Sequence, residues 1–433
     1  MTLSSFAHKL AVSTAFPRLS VGMNEAINIG FLAPLSGPVQ SWGLPGLNGC
    51  QIWVDWLNRN GGLMIGGRRY PIEIKEYDCG YSEQRAIDGA HELVEKHDIK
   101  LLMMLGGDTY TPLRDYLGER RILTSTLLPS DLSPDSPYLI APSELHPVYN
   151  VTGVEWLAAN RSELKKVALC SQKDALGIPS LATYRAAFAA ENMPLIKQIQ
   201  YDADSTDAAG IVQAMLDTDP DILCWCTSRT PMVHAMTEYA HAQGFKGQII
   251  SCTLDQYEHL VARTSAEFME GVVFQFPDFD DPLLREKAFF FNQPHVFFEQ
   301  YNRRFPDTWS AVSWEYAAIL DIWHGAVEKC NSIRPESVLA AMKQLGHVTH
   351  AFGPAHWWGQ DMFGIDNALI GDWPIVTIQN GKARIVDFGS IPDWLTRHGD
   401  LLKKEMRDLG QLWHQRIPTD RTKMIQREQW ATP

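Results

Sequence analysis

The feature that most constrains the fold of this chain is a repeated alternation of short apolar strands with helix-length segments. The first third of the sequence predicts helices at 46–60, 82–97 and 111–120 between strands at 27–33, 71–77, 100–105 and 122–126. The second third repeats the pattern, with helices at 149–159, 180–190, 208–217 and 230–243 and strands at 166–170, 195–201, 221–226 and 248–251. Strands joined through helices run parallel and carry helices on both faces of the sheet. The alternation therefore predicts an α/β fold with two lobes.

The length and the charge balance narrow the function classes. The chain has 433 residues, enough for two or three domains that each bury a core. Its 38 basic and 51 acidic side chains give a net charge of −13, which repels phosphate backbones and anionic lipid surfaces. No apolar run reaches the roughly 18 residues that a membrane helix needs. We therefore expect neither nucleic acid as a partner nor insertion into a membrane.

The N-terminus and the cysteines bear on the cellular compartment. Residues 9–16 have the basic and apolar order of an export signal, but the segment is short and stops at Pro17-Arg18. The seven cysteines are odd in number and include no C-x-x-C pair, which predicts reduced or buried thiols rather than disulfides or a zinc site. These observations leave a cytoplasmic location open beside an exported one.

The sequence lacks the common catalytic motifs. It contains no G-x-x-x-x-G-K-[ST], no H-E-x-x-H and no G-x-S-x-G. The glycine-rich stretch 61–67 lacks the lysine and hydroxyl of a phosphate-binding loop, and we interpret it as a helix end followed by a turn. His91 and Glu95, one helical turn apart, are more typical of a solvated helix face than of a metal site. We predict no cofactor, metal or catalytic residue.

A set of spaced motifs near the N-terminus resembles the opening of a known family. The matching segments are 29–43, Asn48-Gly49, Asn58-x-x-Gly61-Gly62, Gly66-Gly67-Arg68 and Tyr77-Asp78. They resemble the type I periplasmic solute-binding proteins of the branched-chain amino acid (Leu/Ile/Val) group, including the amide- and urea-binding branch. The resemblance extends from about residue 27 to 382 and includes the loop 129–138, Tyr316-Ala317-Ala318 and Gly353-Pro354.

This resemblance implies two Rossmann-like lobes with parallel sheets, joined by a three-segment hinge. Lobe one then comprises 25–146 and 276–352, lobe two comprises 147–275 and 353–387, and 388–433 form a C-terminal extension. A solute would lie in the cleft between the lobes, and hinge closure would present both lobes to an ABC permease if the protein is exported. The extension is expected to pack on the body or on a second subunit, which would make a homodimer.

In open α/β sheets the ligand lies at the carboxyl ends of the strands, so the loops after the strands are the expected contacts. By resemblance, Trp42 covers the ligand, and Leu128 replaces a hydroxyl that the amino-acid branch uses, which weakens an α-amino acid as the solute. Asp108 departs from the family and would accept hydrogen bonds from an amine or amide, although helix capping explains Asp108 and Thr109 equally well. The candidates from lobe one are Trp42, Asp108, Thr109, Tyr110, Thr126 and Leu128.

The other candidates come from the second half of the resemblance. Asp255 follows a strand where the amino-acid branch places an acid for the ammonium group, displaced here by one or two residues. Arg229 would bind an anionic group, whereas Tyr316 lies near the hinge, where core packing is the competing interpretation. The full set is His146, Tyr149, Asp174, Thr227, Arg229, Thr253, Asp255 and Tyr316.

The resemblance and the missing catalytic motifs favour a non-enzymatic protein. The leading hypothesis is the substrate-binding component of an ABC importer, with an amino acid, an amide or a related small polar compound as the solute. The alternative is a cytoplasmic amide-type ligand sensor that regulates a partner protein. An enzyme would need a nucleophile and a base in the cleft, and His146 with Asp108 is the one pair that the sequence offers.

Overall fold

Strands and helices alternate along the described part of the chain, which is residues 25–285, 287, 290–344 and 348–416 of the computed structural model. The strands are β1 (Ile27–Ala33), β2 (Leu63–Ile65), β3 (Arg68–Tyr70), β4 (Ile72–Asp78), β5 (Leu102–Met104), β6 (Thr124–Ser125), β7 (Leu139–Ile140), β8 (Val167–Gln172), β9 (Leu195–Tyr201), β10 (Ile222–Trp225), β11 (Gln248–Ser251), β12 (Val273–Phe274), β13 (Val348–His350), β14 (Gly353–Trp358), β15 (Ala368–Gln379) and β16 (Lys382–Ser390). The predicted alternation is confirmed in order, although several element ends differ by a few residues.

The helices follow the same order along the chain. They are α1 (Leu44–Arg59), α2 (Glu83–His97), α3 (Arg114–Glu119), α4 (Asn150–Asn160), α5 (Gly177–Ala190), α6 (Ala208–Leu216), α7 (Thr230–Ala242), α8 (Tyr257–Arg263), α9 (Ala266–Met269), α10 (Pro282–Arg285), α11 (Pro294–Arg304), α12 (Val312–Cys330), α13 (Pro335–Gln344), α14 (Gln360–Phe363), α15 (Ile391–Asp408) and α16 (Trp413–Arg416). Within the described residues, no helix combines the length and the apolar character that crossing a membrane requires.

The sheet of lobe one is parallel throughout, with the strand order β4-β1-β5-β6-β7. Nearly every residue of β1 is buried, as expected for a strand covered on both faces. Helices α1 and α2 pack against β4, and α12 packs along α1. Lobe one is therefore built from the N-terminal part of the chain and from a later helical part.

The sheet of lobe two combines a parallel and an antiparallel half. Strands β9, β8, β10, β11 and β12 run parallel, as the sequence predicts. Next to β12 the sheet continues antiparallel through β15, which pairs with β14 and β16. The sequence prediction missed most of this antiparallel half. It also missed the hairpin of β2 and β3, which occupies part of the stretch that we interpreted as a turn.

The chain passes between the lobes at several points. Residues 141–149 lead from β7 of the first sheet to α4, which packs on β12 and β15. Residues 275–281 lead back from β12 to the helices of lobe one, and β13, which follows α13, pairs with β14 in the second sheet. A backbone bridge joins Ala141 in the first passage to Ala368 at the start of β15. This arrangement places the carboxyl ends of the two parallel sheets opposite each other.

The C-terminal segment packs on both lobes as far as the structure describes it. Helix α15 lies along α5, where Glu405 pairs with Arg185 at 2.7 Å. Arg416 then donates a hydrogen bond to the carbonyl of Leu132 in lobe one at 3.3 Å. The remainder of the predicted extension lies outside the described residues, and a homodimer stays a prediction.

Candidate ligand-binding site

A cavity lies between the two lobes at the carboxyl ends of their strands, and we call it the inner cavity. Leu105 follows β5, Leu127 follows β6, Thr227 follows β10 and Thr253 follows β11, so the loops that succeed four strands meet there. Its lining residues are Trp42, Leu105, Leu127, Leu128, Glu144, His146, Tyr149, Leu176, Thr227, Thr253, Asp255, Phe276 and Val312.

Most of the lining is apolar or aromatic. Leucines from both lobes, with Val312 and Phe276, form the walls. The ring of Tyr149 stacks on Trp373 with centroids 5.1 Å apart, and Phe276 meets its edge at 5.5 Å. Apolar walls with a few convergent polar groups are the usual composition of a small-molecule pocket.

Hydrogen bonds between the lobes close the inner cavity on one side. The indole N–H of Trp42 donates to Asp255 Oδ2 at 2.7 Å, and the hydroxyl of Ser310 donates to the other oxygen of that carboxylate at 3.0 Å. Beside them, the hydroxyls of Ser41 and Thr230 lie 2.8 Å apart. Burial raises the pKa of Asp255, while its two donors favour the charged form. The structure is therefore that of closed lobes.

A wider cleft lies on the other side of Trp42 and Asp255, and we call it the outer cleft. Its lining includes Ser41, Thr230, His234, Glu238, His259, Arg263 and Trp309. Arg263 pairs with Glu238 at 3.0 Å and donates to His234 Nδ1 at 2.6 Å. His234 in turn donates from Nε2 to the carbonyl of Asp255 at 2.8 Å. The charged side chains of the outer cleft thus have partners in the protein.

His146 forms a neutral wall of the inner cavity. Its Nδ1 lies 2.9 Å from the hydroxyl of Tyr149, and its Nε2 lies 3.0 Å from the hydroxyl of Thr227. Burial lowers the pKa of His146 to about 4, so the imidazole is uncharged near neutral pH. Cys252 contacts Thr227 at 3.1 Å, and burial raises the pKa of its thiol to about 11. Neither side chain is therefore an activated base or nucleophile.

Two carboxyl groups face each other at the inner cavity. Glu144 lines it and lies 3.4 Å from the hydroxyl of Tyr149, and Glu315 of α12 lies behind it, buried away from solvent. No N–H or hydroxyl group of the described residues donates to the oxygens of Glu315, and the neighbouring carboxyl is that of Glu144. Burial raises the pKa of Glu144 to about 7, and burial together with Glu144 raises the pKa of Glu315 well above its ordinary value. The pair therefore holds a proton near neutral pH.

The structure brings half of the predicted site residues together in the lining of the inner cavity. These residues are Trp42, Leu128, His146, Tyr149, Thr227, Thr253 and Asp255. They come from both lobes and from the passage between them, as a cleft site requires.

Three other candidates from lobe one lie outside the lining because their polar groups serve the fold. Thr109 donates to the carbonyl of Gly106 at 2.8 Å, and Thr126 donates to Asp131 at 2.8 Å. Tyr110 is buried within lobe one.

Asp108 lies at the edge where the lobes meet and accepts a hydrogen bond from the backbone of Ala175. Burial and the neighbouring Asp174 raise the pKa of Asp108 to about 6. No hydrogen bond joins Asp108 to His146 in the described part of the chain, so the one catalytic pair that the sequence offered is not assembled.

The remaining candidates are also absent from the lining of the inner cavity. Asp174 accepts from the N–H groups of Leu176 and Gly177 at the start of α5. Arg229 directly precedes α7. Tyr316 packs on Phe31 inside lobe one, with ring centroids 4.9 Å apart.

The sequence reasoning missed several lining residues, of which Glu144 is the most consequential. Leu127, Leu176, Phe276 and Val312 were missed because apolar side chains near strand ends look like ordinary core. For Glu144 and Glu315 a signal was available. Glu315 interrupts an otherwise apolar helical stretch, and Glu144 precedes His146 in the passage between the lobes.

Comparisons with known proteins agree with this geometry. Residues 26–383 match the family model described as periplasmic binding protein. A Leu/Ile/Val-binding protein, BraC3, of Rhizobium johnstonii is 31% identical over 135 residues, which are 31% of this chain and 34% of that protein. The chain thus matches about a third of the length of that curated relative.

Solved structures share the fold over most of the chain. A leucine-binding protein, LivK, of Thermotoga maritima is 14% identical with a TM-score of 0.68, covering 85% of this chain and 99% of its own. A solute-binding protein of an ABC transporter from R. palustris, solved with 4-hydroxybenzoate, is 16% identical with a TM-score of 0.70, covering 86% and 99%. At 14% and 16% identity, this structural similarity establishes the fold alone.

Proposed function

This chain belongs to the periplasmic binding protein family, and we propose that it is the substrate-binding component of an ABC importer. In this proposal it holds a small organic solute in the inner cavity by closure of the two lobes. The observation that carries the proposal is a cavity at the carboxyl ends of two opposed sheets, enclosed by hydrogen bonds between the lobes.

The contacts between the lobes support a closure mechanism. Trp42 and Ser310 come from lobe one, whereas Asp255, which accepts from both, comes from lobe two. Opening the lobes breaks these hydrogen bonds and exposes the apolar walls to water. A solute that fills the cavity contacts both lobes at once and shifts the equilibrium toward the closed state.

The similar proteins support a small organic solute. The Rhizobium relative is named for binding leucine, isoleucine and valine, and the R. palustris structure holds 4-hydroxybenzoate. Both names describe small compounds with an apolar body, and the apolar walls of this lining suit such a body. We propose that the chain acts outside the cytoplasmic membrane and delivers its solute to an ABC permease.

The chemistry of the lining supports binding without conversion. His146 is uncharged, the thiol of Cys252 is protonated, and Glu144 shares a proton with Glu315. A hydrolytic or transfer reaction needs an activated nucleophile beside a base. We therefore propose that the bound solute leaves the protein chemically unchanged.

A thermal-shift screen of the full chain against a library of small metabolites tests this proposal. A solute at 100 times its Kd should stabilise the protein by about 2.7 kcal/mol. Solutes that raise the Tm should also make the protein more compact in small-angle X-ray scattering, and mass spectrometry should recover them unchanged. A library that gives no stabilising compound, or a recovered product, would contradict the proposal.

A further inference from the structure

Three backbone N–H groups near the inner cavity already donate within the protein. The N–H of Gly107 donates to Asp131 at 2.9 Å, that of Leu128 to Thr126 at 3.0 Å, and that of Thr227 to Ser180 at 3.0 Å. These groups follow β5, β6 and β10, where free N–H groups would hold an anion. Because these N–H groups already donate within the protein, they are not available to a carboxylate of the solute.

The side-chain donors of the lining are likewise satisfied. Trp42 donates to Asp255, and Thr253 donates to the carbonyl of Ser228 at 3.2 Å. The hydroxyl of Thr227 contacts both His146 and Cys252. No arginine or lysine is among the residues that line the inner cavity.

The carboxyl groups at the cavity, which are hydrogen-bond acceptors, are less well paired than these donors. Glu144 is 96% buried, and its contacts with donors are long, at 3.4 Å from the Tyr149 hydroxyl and 3.8 Å from His146 Nδ1. Glu315 adds a second buried carboxyl behind it. A buried carboxylate without a cation is costly, and an entering anion would add to that cost.

These observations point to a specific class of solute. We propose that the solute carries a cationic nitrogen group, an amine or an amidine, on an apolar body without a carboxylate, and that Glu144 accepts its hydrogen bonds. The inference rests on the proposed function, because it concerns the same cavity. The apolar walls and the indole of Trp42 hold the body, and aromatic faces also attract a cation.

Two matched probe series test the inference by isothermal titration calorimetry of the full chain at pH 7.5. The first series is benzamidine, benzamide and benzoate, and the second is 3-methylbutylamine, 3-methylbutanamide and 3-methylbutanoate. Within a series the body is constant and only the head changes. We expect the cationic member to bind at least tenfold tighter than the amide and the carboxylate, because it forms a charge-assisted hydrogen bond with a buried carboxyl that has no cationic partner in the lining.

Single substitutions test whether Glu144 is the group that recognises the cationic head. Glu144→Gln should weaken the cationic probes at least tenfold and leave the amides within about threefold. Glu315→Gln should retain the binding of the cationic probes, because its amide donates to Glu144 and keeps that carboxylate charged. The matched control is Asp321→Asn, a carboxyl that accepts from Trp53 at 2.9 Å inside lobe one and should leave all probes unchanged.

The outcomes separate this inference from the proposed function. If a carboxylate or amide binds tighter than the cation of its series, or if no probe binds, the inference is overturned. In those cases the proposed function is judged by the metabolite library, where any stabilising solute still supports it. Equal weakening of amides and cations by Glu144→Gln would also overturn the inference, since it would reveal a structural role only.

Discussion

The inner cavity and the outer cleft lie on either side of Trp42 and Asp255, and they treat acidic side chains differently. In the outer cleft Glu238 pairs with Arg263, which also contacts His234. In the inner cavity Glu144 faces another carboxyl and a neutral imidazole. A cation therefore pairs with Glu238 in the wide cleft, whereas Glu144 in the enclosed cavity has no arginine or lysine beside it in the lining.

The different surroundings of Glu238 and Glu144 determine where binding specificity can arise. Exposed ion pairs contribute little free energy because water and salt screen them. A buried carboxyl interacts much more strongly with whatever enters beside it, because the local dielectric is low. A solute that meets Glu144 should thus be discriminated by charge, whereas the outer cleft should serve mainly as the route of entry.

The largest expected effect comes from removing the aromatic boundary between the two compartments. Trp42→Ala deletes a large buried ring and leaves the Asp255 carboxylate without its indole donor. We expect the affinity for a solute found by the screen to fall on the order of 100-fold or more. Isothermal titration calorimetry measures this loss directly.

A matched control for Trp42→Ala is a substitution in the outer cleft. Arg263→Ala removes a charged lining group of the outer cleft, and we expect the affinity to change by less than about threefold. If Arg263→Ala weakens binding as much as Trp42→Ala, the solute occupies the outer cleft and the assignment of the inner cavity is wrong.

The second prediction concerns stability against pH. The pKa of Glu144 is raised on folding to about 7 from an ordinary 4.5, so the folded chain keeps a proton that the unfolded chain has released. The contribution of Glu144 to the free energy of unfolding therefore falls as the pH rises from about 4.5 to 7. Glu144→Gln removes this loss. The free energy of unfolding of the variant, taken relative to that of the wild type, should therefore be about 2 kcal/mol larger at pH 8 than at pH 5.

Urea unfolding at pH 5 and pH 8 measures that gain. The lowered pKa of His146 acts in the opposite direction below about pH 6.5, but it is present in both proteins and cancels in the difference. Glu238→Gln, in the outer cleft, should change the difference by less than about 0.5 kcal/mol. Parallel stability curves for Glu144→Gln and wild type would contradict the raised pKa of Glu144.

The two parts of the fold differed in how well the sequence predicted them. The parallel strands of both sheets were predictable because apolar strands such as β1 and β10 are buried along their length and alternate with helices. The strands β14 and β16 have exposed residues on one face, and their burial depends on pairing with β15. Such long-range antiparallel pairing leaves little local signal.

The sequence predicted the position of the site in the fold better than it predicted the residues that line it. Topology puts the loops after the strands at the cleft, and together with the family resemblance it led to Trp42, Thr227 and Asp255. It could not show that Asp131 takes up the N–H of Gly107 and the hydroxyl of Thr126. The pair of Glu144 and Glu315 joins two distant parts of the chain, and only the folded structure brings them together.

The smallest expected effect concerns the contact of the lobes at the outer cleft. The hydroxyls of Ser41 in lobe one and Thr230 in lobe two lie 2.8 Å apart and do not line the inner cavity. Ser41→Ala removes one net hydrogen bond of about 0.5–1.5 kcal/mol from the closed state alone. We expect the solute to dissociate about 3- to 10-fold faster, with the association rate unchanged, in stopped-flow tryptophan fluorescence.

Two controls show whether this contact acts on closure. Thr230→Ser keeps a hydroxyl at the contact and should dissociate like the wild type. Ser36→Ala removes a hydroxyl from the same loop, but its partner Asp78 lies in the same lobe at 2.6 Å, so it should leave both rates unchanged. A slower association in Ser41→Ala, or an equal effect of Ser36→Ala, would mean that the substitution disturbs the open loop. The hydroxyl pair would then have no part in holding the lobes together, and closure would depend on Trp42, Ser310 and Asp255.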